Sequence, residues 1–145
     1  MKPLYIGADH AGFILKEFLK TRLNDAGYSF VDVGTFSQDS VDYPDYASQV
    51  AIAIKEGKAD AGILVCGSGQ GMVMAANKVS GIRAGLAWNT EIAALMKEHN
   101  HAQIIALGAR FTAPDYAWLM VKAFLESKPA VGNHTRRVEK MNQIC

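Results

Sequence analysis

Short apolar runs alternate along this chain with longer segments whose apolar residues recur every three or four positions. The runs Leu4-Tyr5-Ile6-Gly7-Ala8, Phe30-Val31-Asp32-Val33, Gly62-Ile63-Leu64-Val65, Ile82-Arg83-Ala84-Gly85-Leu86-Ala87 and Ile104-Ile105-Ala106-Leu107 read as strands. Between and after them, helical spacing is carried by Leu15, Phe18, Leu19 and Leu23, then by Ala47, Val50, Ala51 and Ile54. Met72 to Ala76 reads as a helix start, Ile92, Leu95 and Met96 mark a fourth helix, and Tyr116, Leu119, Met120, Ala123 and Phe124 a fifth. Gly27 and Gly57 are stops, and Asn89 and Thr90 are caps. The polar stretch from Thr35 to Asp45, which holds Pro44, reads as a loop. Pro129 to Gly132 ends the last helix, and a basic tail from His134 to Lys140 follows.

Five strand–helix alternations predict an α/β three-layer sandwich, a five-stranded parallel sheet with helices on both faces. Right-handed crossovers and the expected order 2-1-3-4-5 place a topological switch between the first and third strands. Ligands of open α/β sheets bind there, outside the carboxyl ends of the strands. Asp9 and His10 end the first strand and Cys66 ends the third, so two distant stretches are expected at one cleft. No repeat or long linker divides the chain, so residues 1–145 are expected to form one domain, with 129–145 as its basic tail.

The chemistry concentrates where the third strand breaks into Cys66-Gly67-Ser68-Gly69-Gln70-Gly71. A glycine-rich turn leading into a helix leaves backbone N–H groups free, and together with the helix dipole they favour an anion. The same field favours a thiolate at Cys66. Several phosphate-loop patterns are absent. Gly-x-x-x-x-Gly-Lys-Ser/Thr does not occur, and Gly67, Gly69 and Gly71 alternate, so Met72 stands where a dinucleotide fingerprint needs its third glycine. Met72 also stands where a cysteine phosphatase would carry its arginine. Any cation must come from elsewhere. From this stretch alone, Cys66 could equally be a small buried hydrophobe at a strand end.

Composition narrows the setting. Half of the 145 residues are apolar and the net charge is +1, so nothing asks for a polyanionic partner and nucleic acid is not expected. No apolar run is long enough to span a bilayer, and the start, Met1-Lys2-Pro3-Leu4-Tyr5-Ile6, lacks a signal-peptide pattern. Two cysteines, Cys66 and Cys145, make no disulfide framework, which suits a reducing cytoplasm. Asp9 could cap the first helix and do no more, although its place opposite Cys66 favours a functional role. His99 could cap the fourth helix or move protons near neutral pH, and His101 reads as surface. Arg110 follows the fifth strand at the cleft end, while Arg136 and Arg137 would by default be a solvated tail. Histidine and cysteine stand at no standard zinc spacing, so no metal is expected.

In this order, Gly7-Ala8-Asp9-His10-Ala11-Gly12, Asp42-Tyr43-Pro44-Asp45-Tyr46, Cys66-Gly67-Ser68-Gly69 through Ala75-Ala76-Asn77-Lys78, His99-Asn100, Leu107-Gly108-Ala109-Arg110, and His134 with Arg136-Arg137-Val138 form a specific set. By that set nearly the whole chain resembles ribose-5-phosphate isomerase type B and the galactose-6-phosphate isomerase subunits of lactose pathways. The resemblance implies a Rossmann-like fold and a homo-oligomer, a dimer or a dimer of dimers, with active sites shared between subunits. It implies interconversion of an aldose phosphate and its ketose without a cofactor. Cys66 would be the carbon base, Ser68 would assist proton transfer between substrate oxygens, and backbone N–H groups from Gly67 through Gly69, Gln70 and Gly71 would hold the enediolate. His99 would open the sugar ring with Asp9 and Tyr43 nearby, and Asn100 would contact substrate. His10, Arg110, His134 and Arg137 match phosphate-binding positions, some reaching in from the neighbouring subunit, where the basic tail is expected to lie.

Three departures stand out. Asn133 occupies the place where many members carry arginine before the tail histidine, the family's His-Asn-x-Ala-Asn ends here in Gln103, and Met72 takes the position where one branch has a glutamate base. The residues fit the chemistry independently, since aldose–ketose isomerisation needs a carbon base, donors for a transient oxyanion and a fixed phosphate handle. Ribose 5-phosphate to ribulose 5-phosphate is the expected reaction, in the pentose phosphate pathway. The alternatives are a six-carbon sugar phosphate, allose or galactose 6-phosphate, and a non-catalytic phosphosugar-binding module.

Overall fold

A computed structural model describes residues 1–144. The elements run β1 (Leu4–Ala8), α1 (Phe13–Asp25), β2 (Phe30–Asp32), α2 (Tyr43–Lys55), β3 (Gly62–Cys66), α3 (Gln70–Ala76), β4 (Ala84–Leu86), α4 (Thr90–Glu98), β5 (Ile104–Gly108), α5 (Pro114–Glu126) and α6 (Asn133–Asn142). A 3-10 turn at Ala109–Phe111 joins β5 to α5.

The strands form one parallel five-stranded sheet in the order β2-β1-β3-β5-β4. The expected α/β sandwich is therefore present, but the order 2-1-3-4-5 is corrected: β4 is the edge and β5 lies inside. Side chains give the reason. β3 and β5 are apolar over five residues, and every residue is buried, which only an interior strand covered on both faces allows. β4 is three residues long and only partly buried, and short strands suit a sheet edge. The polar loop after β2 is also shorter than expected, because α2 begins at Tyr43 with Pro44 in its first turn, where a missing N–H costs nothing.

Alternation along the strands sorts the core into two layers. Ile63, Val65, Ile105 and Leu107 pack with Leu19 and Leu23 of α1, Met96 of α4, and Met120 and Phe124 of α5. Leu64, Cys66, Ile104 and Ala106 face the other way, onto Ala47 and Val50 of α2 and Met72 and Ala76 of α3. The crossovers β1–α1–β2 and β4–α4–β5 step one way along the sheet, and β2–α2–β3 and β3–α3–β4 step the other. Their helices lie on opposite faces, as a uniform crossover hand requires. The carboxyl end of β3 thus lies between strands whose following helices leave on the opposite face. Cys66 sits at this reversal, with its side chain toward α2 and α3.

The basic tail forms a helix, α6. Among the described residues Val138 is its one buried side chain, and Asn142 accepts from Arg83 Nη1 at 2.6 Å, which seats α6 beside the amino end of β4.

Candidate functional site

Parallel register brings the ends of three central strands level. Ala8 stands opposite Val65, and Cys66 opposite Gly108. Asp9 N–H donates to Val65 O at 3.2 Å, and Asp9 Oδ1 accepts Gly12 N–H at 3.0 Å, so this carboxylate is buried against the start of α1 and turned beside the cysteine strand. Arg110 N–H donates to Gly67 O at 3.0 Å. Its guanidinium lies over the glycine turn, Nη1 being 3.0 Å from where a β-carbon on Gly67 would stand. The turn has no positive side chain of its own, and Arg110 supplies one from the next strand.

Within the turn, Gly69 has φ +81°, a left-handed conformation that glycine adopts without steric cost. This conformation aims Gly69 N–H at Cys66 Sγ, 3.2 Å away. Cys66 is buried. An amide hydrogen donated to sulfur is strongest when the sulfur carries charge. Gln70 N–H is taken by Ser68 Oγ at 3.3 Å, while the next first-turn amides of α3 have no acceptor within the helix. Ser68 itself is exposed; with Gln70 it lines a depression of about 450 Å³ whose other walls include Trp88, Phe111 and Tyr116.

Two more expected residues close this end of the sheet. His10 Nδ1 accepts Val41 N–H at 3.2 Å. Tyr43, the first residue of α2, leans onto Gly71, with its Cε1 2.5 Å from where a β-carbon would stand. Cys66, the turn from Gly67 to Gly71, Ser68, Asp9, His10, Tyr43 and Arg110 therefore converge.

The remaining expected residues lie elsewhere in the chain. α4 runs from the carboxyl end of the sheet back to its amino end and stops at His99, with Asn100 beyond. Gln103 O accepts from Gly62 N at the start of β3, which fixes this corner at the far end of the strands. From there to Cys66 is the length of a five-residue strand, about 13 Å at about 3.3 Å per residue. Glu98 O accepts from Ala130 N at 2.9 Å, so the α5–α6 connection is tied to the same corner. His134 stacks on His99 with ring centroids 4.3 Å apart and planes 6° from parallel. Burial, the neighbouring imidazole of His99 and then the Arg137 charge hold His134 below the usual imidazole range. His99, Asn100, His134 and Arg137 form a second cluster. The implied proximity of His99 to Asp9 and Tyr43 is not met within one chain, because the α4 axis points its end away from them. His101 is half-buried rather than surface: its Nε2 lies 2.7 Å from Ala130 O, and its φ of +49° lets the chain turn there. The larger depression, about 610 Å³, lies at this end and includes Arg83, Asn100 and Met141 in its walls. Among the described residues, no three metal-ligating side chains cluster and no helix is long and apolar enough to cross a membrane.

Sequence reasoning missed Lys16, whose side chain is completely buried. Its signal was available: Lys16 precedes Leu19 and Leu23 by three and seven residues, on the apolar stripe of α1.

An open parallel sheet carries a thiol-bearing glycine turn, a guanidinium and an imidazole at its carboxyl ends, the place where α/β proteins of this class bind their ligands. The chain belongs to the Ribose/Galactose Isomerase family, whose model matches residues 4–141. It is 42% identical over 144 residues to "Ribose-5-phosphate isomerase B" of Escherichia coli strain K12, covering 99% of this chain and 97% of that protein. The solved structure of Clostridium thermocellum ribose-5-phosphate isomerase B superposes with a TM-score of 0.97 at 44% identity, covering 99% of this chain and 97% of that one. That of ribose-5-phosphate isomerase B from Mycoplasma genitalium, with bound ribulose-5-phosphate, gives 0.92 at 36% identity, covering 97% and 94%.

Proposed function

We propose that the protein is a cofactor-independent aldose–ketose isomerase that interconverts ribose 5-phosphate and ribulose 5-phosphate. The observation that carries this reading is the buried Cys66 sulfur, held by Gly69 N–H at a strand end where Asp9, His10, Tyr43 and Arg110 also meet. Family membership supports the same chemistry. As thiolate, Cys66 takes the proton from C2 of the open-chain aldose. The C2–H electron pair becomes the C1–C2 double bond, and the C1 carbonyl oxygen becomes the enediolate oxygen. Free amides of the Gly67–Gly71 turn stabilise that oxygen, and such donors act most strongly where water is excluded. Ser68 passes the hydroxyl proton between O2 and O1, and Cys66 returns its proton to C1, leaving the ketone at C2. Asp9 and Tyr43 orient the sugar. Arg110 and His10 hold the phosphate, a remote handle that keeps the reacting carbons in place.

The two separated clusters support a site made by two copies of the chain, with His99, Asn100, His134 and Arg137 of one copy facing Cys66 of the other. The tail helix α6, which buries only Val138, carries two of those residues across. A homodimer or dimer of dimers follows from this reading. His99 then opens the sugar ring, and Arg137 adds a planar fork to the phosphate. A mechanism that needs a free thiol suits a reducing cytoplasm.

The test is ribose 5-phosphate in deuterium oxide, followed by proton NMR. Wild type should form ribulose 5-phosphate with deuterium at C1. Cys66→Ala and Cys66→Ser should form none while still binding the sugar phosphate. Turnover near wild type in either variant would remove Cys66 as base, and no turnover by wild type on any five- or six-carbon aldose phosphate would reject the isomerase reading.

A further inference from the structure

Among the described residues, the most deeply buried charge lies outside the site. Lys16 of α1 has no accessible surface, yet its ammonium is 2.6 Å from Asp32 Oδ2 and 2.9 Å from Glu17 Oε2. Lys20 closes the group, 2.8 Å from the same Asp32 oxygen and 2.9 Å from Glu17. Two ammonium groups and two carboxylates make a neutral quartet. Replacing a buried ion pair by apolar residues is often neutral or stabilising, so fold stability does not by itself explain a charge in this place.

The quartet grips the root of the segment 33–42, which joins β2 to α2. Asp32 spends its other oxygen, Oδ1, on Gly34 N–H at 2.9 Å. The Phe36 ring centroid lies 5.4 Å from Lys16 Nζ, within reach of a cation–π contact. Gly34 and Thr35 are stitched to Ala8 by bonds of 2.8 and 2.7 Å, immediately before Asp9 and His10. The far end of the same segment returns to the site. Val41 N–H donates to His10 Nδ1 at 3.2 Å, and Tyr43 leans on Gly71. An imidazole nitrogen that accepts a hydrogen bond carries no proton, so the hydrogen of His10 sits on Nε2, as a donor for an anionic oxygen.

We propose that Lys16 and Asp32 are positioning residues of the isomerase: by fixing the root of segment 33–42 they place Val41 N–H, and Val41 N–H sets the tautomer and orientation of His10 toward the substrate phosphate. This rests on the reading of His10 as a phosphate contact, and its test includes measurements that need no activity.

The double variant Lys16→Met/Asp32→Asn removes both charges together and keeps an oxygen for Gly34 N–H, so no buried charge is orphaned. In the full-length variant, nitrogen NMR of the imidazoles should show His10 losing its single Nδ1-acceptor tautomer. The Val41 amide should exchange with solvent at least about tenfold faster, and KM for ribose 5-phosphate should rise about tenfold with kcat little changed, the pattern of a lost binding contact. A role in stability alone would lower the melting temperature and move none of these. Wild-type tautomer, amide exchange and KM in the folded double variant overturn the proposal. If the double variant does not fold, Phe36→Ala decides. That side chain is exposed, and its loss should move the same readouts in the same direction; wild-type values there overturn the proposal. A wild-type protein with no isomerase activity would instead sink the functional reading, while the NMR measurements would still report on the link from the quartet to His10.

Discussion

Adding one methyl group at Gly71 should separate activity from stability. An ideal β-carbon there would stand 2.5 Å from Cε1 and 2.6 Å from Cζ of Tyr43. Carbon atoms pack at about 3.5–4.0 Å, so in Gly71→Ala the ring must retreat by about 1 Å or more. It has room, because Tyr43 is 40% exposed and can swing toward solvent. Stability should change little: alanine in a helix gains about 0.5–1 kcal/mol over glycine, against a comparable cost for displacing the ring. Catalysis should suffer more, since a misplacement of about 1 Å can cost about 10²-fold. The expected result is a melting temperature near wild type with kcat/KM for ribose 5-phosphate down about 10- to 100-fold, read from initial rates of ketose formation. A variant that melts like wild type and turns over like wild type would refute a role for Tyr43 at the sugar.

His99→Asn should cut net conversion of cyclic ribose 5-phosphate by about 10²-fold, the usual share of a general acid–base group. It should leave deuterium exchange at C1 of ribulose 5-phosphate, which needs no ring chemistry, near wild type; equal losses in both would remove the ring-opening role. Acid should destabilise the fold through Asp32. Burial raises its carboxyl, but bonds from Lys16 and Lys20, Gly34 N–H and the Lys16 charge outweigh this and hold it below the ordinary carboxylate range. The unfolded chain therefore binds the proton first, and the stabilisation, complete above about pH 4, drains as pH falls through the lower folded value. Urea midpoints measured downward from pH 5 should fall in wild type and flatten in Lys16→Met/Asp32→Asn; parallel curves would show that the quartet does not govern acid stability.

The five strands and the first five helices were legible because each rests on local pattern. Ile104-Ile105-Ala106-Leu107 announces a buried strand wherever it sits, but its place between β3 and β4 depends on which edge solvent tolerates, and that is decided by comparing strands. The glycine turn from strand to helix after Cys66 was readable, and the structure adds the Gly69 contact to sulfur, which needs a positive φ that sequence only permits. The meeting of Asp9, His10 and Cys66 follows from topology. The separation of His99 from them follows from it too, since a helix after a parallel strand must end at the opposite side of the sheet, and the motif resemblance hid that. The stretch from Thr35 to Asp45 looked like a polar loop, and nothing local shows that Asp32 before it meets a buried lysine sixteen residues earlier.

The proposed split of the site between two copies of the chain is tested most directly by complementation. Cys66→Ala and Arg137→Ala should each be nearly inactive alone. In a hybrid pair, one site combines both defects and the other combines both intact residues. After unfolding and refolding together at equal amounts, about half of the pairs are hybrids, so activity should return to about a quarter of wild type. Hybrids demonstrated by distinct mass tags, with no activity regained, would contradict the account and require Cys66 and Arg137 of the same chain to act on one substrate.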